Sequence, residues 1–210
     1  MQEPTGEEIH HRQYHVRAFA EAANRLRLRG EVRDTKPPGL YFEGDPDPLD
    51  VHHMVLDLLL DFPSLEIVEA DAEMFVTPHL DCVGIEPRYD QLVGVSIARG
   101  FNRKVNELFG AASGCTHITA LLRAMAPVAV QSMWSMRTKF PDTADSWRDA
   151  ETTEDKLAGM KFNLNSCHMW AEDGRLVSSI LAGDGIEIPV WAEQRIEELG
   201  YEGDHPFSGR

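Results

Sequence analysis

Cysteine is scarce in this chain, with three residues among 210. An odd and low count does not suit a disulfide framework and indicates a reducing compartment. Basic residues are also few, since 20 Lys and Arg stand against 35 Asp and Glu, for a formal net charge of −15. Nucleic acids and anionic membranes are bound by basic surfaces, so this charge argues against both as partners.

Long hydrophobic runs are absent as well. No run approaches the roughly 18 apolar residues that a membrane span needs. The first residues are polar and acidic, and no apolar stretch of the secretory type follows them. We therefore expect a cytoplasmic protein that makes no membrane contact.

The common nucleotide and hydrolase motifs are missing too. The sequence contains no glycine-rich dinucleotide fingerprint, no Walker loop, no His-Glu-x-x-His, no Gly-x-Ser-x-Gly and no Cys-x-x-Cys. This disfavours nucleotide, flavin, serine-hydrolase and thioredoxin-like proteins, and we expect no bound cofactor. The chemistry must then come from ordinary side chains, among which cysteine and histidine are the most informative.

The composition that remains is that of a globular protein. Four Trp, nine Phe and eight Met argue against disorder, and the length favours a single domain over residues 1–210. We expect a polar segment at 1–20, mainly strands over 24–98 and mainly helices over 101–200. Strands followed by helices predict an α+β fold, with an antiparallel sheet from the first half packed against helices of the second.

The strand predictions depend on alternation. Leu26, Leu28 and Val32 share one face of their segment while charged residues occupy the other. The next segment is apolar on both faces, which is typical of a central strand, and short turns favour antiparallel pairing. The predicted strands are 24–34, 51–60, 65–76 and 92–98.

The longest helical pattern covers residues 115–136. Its apolar residues recur at helical spacing, and Arg123 is the single charged residue between His117 and Met136. Pro127 predicts a kink inside it. The helix is either core or the interface of a homodimer. Shorter helices are predicted at 101–109 and 189–199.

Cys115 is placed where this long helix should begin. The free N–H groups and the dipole of a helix N-terminus favour the thiolate. His117 follows two residues later, which on a regular helix turns it roughly 200° away from Cys115. A buried structural cysteine and a histidine bound to nearby carbonyls explain the same spacing.

Two further segments carry candidate groups. His53 and Asp57 share a face of the second predicted strand, and Asp57 stands among leucines, so it must be hydrogen-bonded or have a raised pKa. That makes Asp57 a candidate acid or base. His79 and Cys82 lie in a predicted loop, where a plain surface role is the alternative.

Several segments, in order, resemble the domain of unknown function DUF2889. The strongest is Gly-Cys-Thr-His at 114–117 with the Met-Ala-Pro-Val-Ala-Val-Gln stretch at 125–131. The resemblance covers about 30–180, and each of the three cysteines falls in a matching segment. The other matching segments are Arg33-Asp34-Thr35-Lys36, His53-Met54, Pro78 to Cys82 (with His79 where the family has Tyr), Pro87 to Gly94, and Asn165-Ser166-Cys167.

The resemblance implies an enzyme of bacterial aromatic catabolism. The expected activity is a cofactor-independent carbon–carbon lyase that releases formaldehyde from a lignin-derived aromatic dimer by acid–base chemistry. Its base would be His53 or His117, assisted by Asp57 and Tyr89. Residues expected to bind the phenolate or the rings are Lys36, Arg88, Tyr89, His79, Met125, Trp134 and Phe75.

Two alternatives remain open. Cys82, Cys115 and Cys167 with His117 would make a Cys₃His zinc set, although nothing in the linear spacing requires it. The third possibility is a non-enzymatic partner protein that forms oligomers through the apolar helix.

Overall fold

The computed structural model describes residues 4–98, 100–141, 152–184, 187–203 and 205. Its internal contacts divide the chain into two compact units, Met1–Met136 and Arg137–Arg210. Each unit is described by itself, and the single domain expected over 1–210 stays a prediction.

The first unit is built on a four-stranded antiparallel sheet with the strand order β1-β2-β3-β4. This confirms the predicted α+β class and the interior position of the strand that is apolar on both faces. The strands are β1 (His11–Ala22), β2 (Arg25–Lys36), β3 (Leu49–Asp61) and β4 (Glu66–Val76).

Two strand predictions were wrong. The polar segment expected at 1–20 contains β1, which pairs with β2 along nearly its whole length. β1 is an edge strand with mostly exposed side chains, so it carries no apolar alternation that a sequence could reveal. Residues 92–98 form a bridge to the start of β4 and no strand of their own.

The two faces of the sheet differ in chemistry. On β2 the buried side chains alternate with half-buried charged ones, and the buried set lies opposite the leucines of β3. The other face carries ion pairs such as Arg29–Asp57 and Arg25–Asp61. The apolar face is therefore the one that holds the core.

Helices α1 (Phe101–Phe109) and α2 (Thr116–Lys139) confirm the predictions for 101–109 and 115–136. Pro127 lies inside α2, and the helix continues past it. α2 packs on the apolar face of the sheet over Gly30, where an added Cβ would lie 2.6 Å from the Sδ of Met125. A side chain at this position would push the helix and sheet apart.

The region before α1 differs from the predicted loop. Leu80–Leu92 forms a long 3-10 segment, in which Tyr89 and Leu92 are buried. Its buried tyrosine stacks on Phe109 with the ring centroids 4.8 Å apart. The segment therefore ties the chain after β4 to the helical part of the first unit.

The described part of the second unit consists of short helices joined by turns and irregular segments. Its described α-helices are α3 (Thr153–Gly159), α4 (Arg175–Ala182) and α5 (Val190–Leu199), of which only α5 was predicted as a separate helix. α5 matches the helix predicted at 189–199, with Pro189 before its first residue and a left-handed Gly200 at its end. For residues 139–155 the polar sequence favours a loop with one short helix, and 142–151, most of that range, lies outside the described residues. Among the described helices, none combines the length and apolarity needed to cross a membrane.

Candidate functional site

One buried carboxylate organises the end of the sheet. Asp34 sits near the end of β2, directly opposite Arg12 of β1 and His52 of β3. Its position in the alternation places it on the apolar face with the core leucines, and its side chain is 1% exposed. A buried carboxylate must be compensated, so its partners determine what this site can do.

Arg12 supplies the charge partner of Asp34. Its Nε donates to Asp34 Oδ1 and its Nη2 to Oδ2, both at 2.6 Å. This two-point contact is the strongest geometry for an arginine and a carboxylate. His10 lies just before β1, with its Nε2 3.5 Å from Asp34 Oδ1.

Two histidines contact the second oxygen of the same carboxylate. The Nδ1 of His52 lies 3.0 Å from Asp34 Oδ2, in hydrogen-bond geometry. The Nε2 of His117 lies 3.2 Å from the same oxygen. The two imidazole rings also contact each other, with centroids 3.9 Å apart and planes inclined by 31°. The side chains of His52 and His117 are 20% and 15% exposed, so the cluster is reachable from solvent.

The ladder becomes irregular immediately after this pair. The register of β2 and β3 shifts between Asp34 and Thr35, and Thr35 then lies opposite Asp50. The Thr35 hydroxyl donates to Asp50 Oδ1 at 2.9 Å. Such irregularities are common beside functional sites because they redirect side chains.

The entry into α2 brings His117 to the cluster. Gly114 passes so close to Phe109 that an added Cβ would lie 2.6 Å from its carbonyl oxygen. The next backbone N–H, that of Cys115, donates to the buried hydroxyl of Tyr89 at 3.1 Å. Glycine is thus needed for the close approach, and the tyrosine fixes the position of the helix start.

Cys115 completes the surroundings of His117. Its Sγ lies 3.7 Å from His117 Nδ1, so the imidazole stands between a thiol and a carboxylate. The sequence predicted that the two side chains would point in nearly opposite directions, which is wrong. Cys115 precedes the first helical residue of α2, so helical geometry does not govern its direction.

Burial and neighbouring charges shift the pKa values of Asp34 and His117. Burial alone would raise the pKa of Asp34, but the hydrogen bonds and charge of Arg12 outweigh it and lower the pKa to about 2. Burial, with the neighbouring His52, holds the pKa of His117 below its ordinary value. At neutral pH the site therefore contains an ionised Asp34 beside a neutral His117.

This arrangement can perform two kinds of chemistry. A neutral imidazole backed by a carboxylate can accept a proton, because the carboxylate stabilises the imidazolium that forms. Two imidazoles and a carboxylate are also a ligand set for a transition metal. Within the described ranges, Asp34, His52 and His117 form the group whose ligand atoms all lie within 4.8 Å of one another.

Among the predicted catalytic residues, the structure gathers His117 but not His53. The ring of His53 lies on the opposite face of β3, 5.1 Å from the ring of Phe75. Its buried Nε2 is 2.9 Å from Glu31 Oε1 without hydrogen-bond geometry. Its neighbour His52, which the sequence analysis passed over, takes the position beside Asp34.

Asp57 and Tyr89 have different surroundings from those expected for reacting groups. Asp57 accepts a hydrogen bond of 2.6 Å from Arg29 on the charged face of the sheet, away from Asp34. Of the two alternatives expected for Asp57, a hydrogen bond or a raised pKa, the structure shows the hydrogen bond. Tyr89 is fully buried, and burial raises its pKa to about 12. Its observed contact positions the backbone of Cys115.

The predicted binding residues are scattered over the first unit. Lys36 donates to the Ile9 carbonyl at 3.4 Å, and its Nζ lies over the ring of Tyr41. Met125 is fully buried against Gly30 in the core. The remaining positions are His79 and Arg88, both exposed, Trp134, half-buried in α2, and Phe75, exposed on β4.

The zinc set expected from the sequence, which combined the three cysteines with His117, differs from the group that could hold a metal among the described residues. That group consists of Asp34, His52 and His117 and contains no cysteine. Cys82 is half-buried in the 3-10 segment of the first unit, whereas Cys167 is exposed in the second unit. All three cysteines are free thiols in the structure.

Three members of the cluster were not among the predicted site residues, namely Arg12, Asp34 and His52, although Asp34 lies in a segment that resembles the family. A usable signal existed for two of them. Counting by twos from Leu26 places Asp34 on the apolar face, and counting back from Met54 places His52 on that face. Arg12 lacked such a signal because it belongs to the edge strand that was not predicted.

The comparisons with known proteins support the family resemblance for the motifs up to residue 131, whereas the Asn165-Ser166-Cys167 segment lies outside the matched range. No curated protein and no solved structure matches this chain. A family model described as a protein of unknown function (DUF2889) matches residues 10–131, which is more than half of the 210 residues. The matched range includes every member of the Asp34 cluster and the start of α2. The chain therefore belongs to the DUF2889 family.

Proposed function

We propose that this protein is a small-molecule enzyme that works by acid–base chemistry at the cluster of Asp34, His52 and His117. The observation that carries the proposal is the position of His117, whose ring lies between Asp34 and Cys115 in a partly exposed site. Burial and His52 keep the pKa of this histidine low, so it is in its proton-accepting form at neutral pH.

The roles of the other residues follow from their contacts. Asp34 stays ionised because Arg12 neutralises it, and it stabilises the imidazolium formed when His117 takes a proton. His52 donates from Nδ1 to the same carboxylate and so fixes its orientation. Tyr89 positions the first residue before α2, and with it the helix that carries His117.

We propose an aromatic substrate and a formaldehyde-releasing carbon–carbon lyase reaction, in line with the resemblance described above. The phenol loses its proton, and the benzylic C–O bond then breaks, so that a quinone methide forms while the leaving oxygen keeps the electron pair of that bond and takes up the proton. The base then removes the hydroxyl proton of a neighbouring hydroxymethyl group, and the bond between that group and the framework carbon breaks. Formaldehyde leaves, and the electron pair flows into the quinone methide to give a conjugated alkene and a phenolate. The atoms and charges balance without any oxidant.

An aromatic surface close to the cluster in sequence supports this substrate class. The segment after β2 exposes Leu40, Tyr41 and Phe42. It begins four residues after Lys36, whose ammonium lies 5.7 Å from the centre of the Tyr41 ring. Exposed aromatic side chains can stack on an aromatic ligand, and a lysine can pair with its phenolate.

Formaldehyde release from a lignin-type diaryl substrate with a hydroxymethyl group tests the proposal. His117→Gln should lower turnover by roughly 10²-fold or more, because it removes the titrating base and preserves size. His53→Gln is the matched control, since His53 follows His52 in β3 and its side chain lies on the opposite face of the sheet. Circular dichroism should show the same fold for both variants.

The rate of the wild-type protein should rise with pH through one ionisation below about 6.5, because the pKa of His117 is lowered. Full activity in both His117→Gln and His52→Gln would rule out this cluster as the proton acceptor. A wild-type protein that releases no formaldehyde from such substrates would rule out the lyase reaction.

A further inference from the structure

Three side chains from three different elements converge on one point in the first unit. Asp34 comes from β2, His52 from the directly opposite position of β3, and His117 from the first turn of α2. Their ligand atoms all lie within 4.8 Å of one another. The carboxylate is fully buried, whereas both imidazoles keep some exposure.

The distances from the Asp34 carboxylate to the two histidine nitrogens are compatible with direct hydrogen bonds and also with a metal ion bound between them. The Oδ2 of Asp34 lies 3.0 Å from His52 Nδ1 and 3.2 Å from His117 Nε2. Ligand atoms bound tetrahedrally to zinc at about 2.0–2.1 Å are separated by about 3.3 Å. These two separations would therefore need to lengthen only slightly to admit an ion of this size.

The surroundings resemble the outer contacts that metal sites use. Arg12 holds the carboxylate through both oxygens, since its Nε donates to Oδ1 and its Nη2 donates to Oδ2, the oxygen that also faces His52 and His117. Cys115 contacts the second nitrogen of His117 and so fixes the orientation of that ring. Outer contacts of this kind orient metal ligands and set the histidine tautomer.

We infer that Asp34, His52 and His117 form a binding site for a first-row divalent transition ion of the zinc class. Two imidazole nitrogens and one carboxylate oxygen are a common ligand set for zinc and for non-haem iron. Three protein ligands leave a coordination position open, and the exposure of the two histidines gives access to it. The inference concerns the same cluster as the proposed function and describes its zinc-bound state, in which His117 Nε2 is a ligand, so proton transfer to His117 belongs to the metal-free protein.

Zinc binding by the intact chain tests the inference directly. Chelator-treated protein is titrated with Zn²⁺, and the bound metal is counted by elemental analysis after gel filtration and followed by calorimetry. The wild-type protein should bind one zinc ion at this site and melt at a higher temperature with zinc than without it, because a ligand that binds only the folded state stabilises it.

Single-ligand variants locate the ion. His52→Gln and His117→Gln should each lower zinc affinity by about 10-fold or more and reduce the rise in melting temperature at a given zinc concentration. Asp34→Asn is the third variant, and the two histidine variants keep the test valid if Asp34→Asn fails to fold. His53→Gln and His15→Gln are the controls and should bind zinc like the wild-type protein.

Two results would overturn the inference. One is wild-type protein that binds no zinc, which would show a purely hydrogen-bonded cluster. The other is equal zinc binding in His52→Gln, His117→Gln and the controls, which would place the ion elsewhere. Zinc binding at the cluster, together with no formaldehyde release by the metal-free protein, would refute only the proposed function, and release by a protein that binds no zinc would refute only this inference.

Discussion

The carboxylate of Asp34 and the imidazole of His52 face each other across the β2–β3 ladder, with Asp34 Oδ2 3.0 Å from His52 Nδ1. Directly opposite residues of an antiparallel pair have the closest side chains in a sheet, so the register alone sets this contact. On the other side of Asp34, Arg12 occupies the equivalent position of β1. A single cross-strand row thus holds the cation, the anion and one histidine of the cluster.

Because Asp34 is buried and Asp57 is not, the two aspartates should differ in their effect on stability. Asp34→Asn removes the charge that compensates Arg12 in a buried site and should lower the free energy of unfolding by roughly 2–4 kcal/mol. Asp57→Asn breaks a partly exposed pair with Arg29 and should cost about 1 kcal/mol or less. Urea unfolding of both variants measures the difference, and equal losses would contradict the burial of Asp34.

Packing of α2 on the sheet requires glycine at position 30. Gly30→Ala places a Cβ 2.6 Å from Met125 Sδ and 3.1 Å from Leu121 Cδ1, and should cost about 1–3 kcal/mol in unfolding free energy. Met125→Ala in the same chain should recover part of that loss, because the two residues touch. Gly84→Ala is the control, since a Cβ there meets nothing within 4 Å. Strictly additive effects at positions 30 and 125 would show that the helix does not press on the sheet here.

Because of Tyr89, the free energy of unfolding should fall as the pH rises into the alkaline range. Its pKa is raised to about 12 by burial, whereas an unfolded tyrosine ionises near 10. Because the folded state keeps this proton longer, the contribution is fully present below pH ~10 and is lost as the pH rises to about 12. Tyr89→Phe should remove this pH dependence and cost about 1 kcal/mol at neutral pH, since the Cys115 N–H loses its acceptor.

Unfolding free energies between neutral pH and pH ~12 measure this contribution, with tyrosinate absorbance to follow the ionisation. Tyr41→Phe changes an exposed tyrosine and is the control. A Tyr89→Phe protein that keeps the full alkaline loss of the wild-type protein would contradict the assignment to Tyr89.

Much of the sheet and of the long helix could be predicted from local pattern. Alternation identified β2 and β3 because each has a face that must be buried, and helical spacing identified α2 for the same reason. The edge strand β1 could not be found in this way, because its side chains are largely exposed and its hydrogen bonds to β2 leave no trace in its composition. Edge strands depend on their neighbour more than on their own sequence.

The candidate site was predicted only in part. The Gly-Cys-Thr-His segment identified Cys115 and His117, and the structure gives reasons for its first, second and fourth residues. His53 was chosen over His52 because it lies in the His53-Met54 segment that resembles the family and shares a strand face with Asp57. Position in the alternation does distinguish them, since only His52 shares the apolar face with Asp34.

The sequence by itself determined the α+β class, the central position of β3 and the presence of an apolar helix after a glycine and a cysteine. These features follow from short-range periodicity, which burial imposes on neighbouring residues. The tertiary structure alone decided that Arg12, Asp34, His52 and His117, which are up to 105 positions apart in the chain, meet at one buried carboxylate. Strand register and the packing of α2 over Gly30 set those distances, and both depend on contacts between segments that no local pattern encodes.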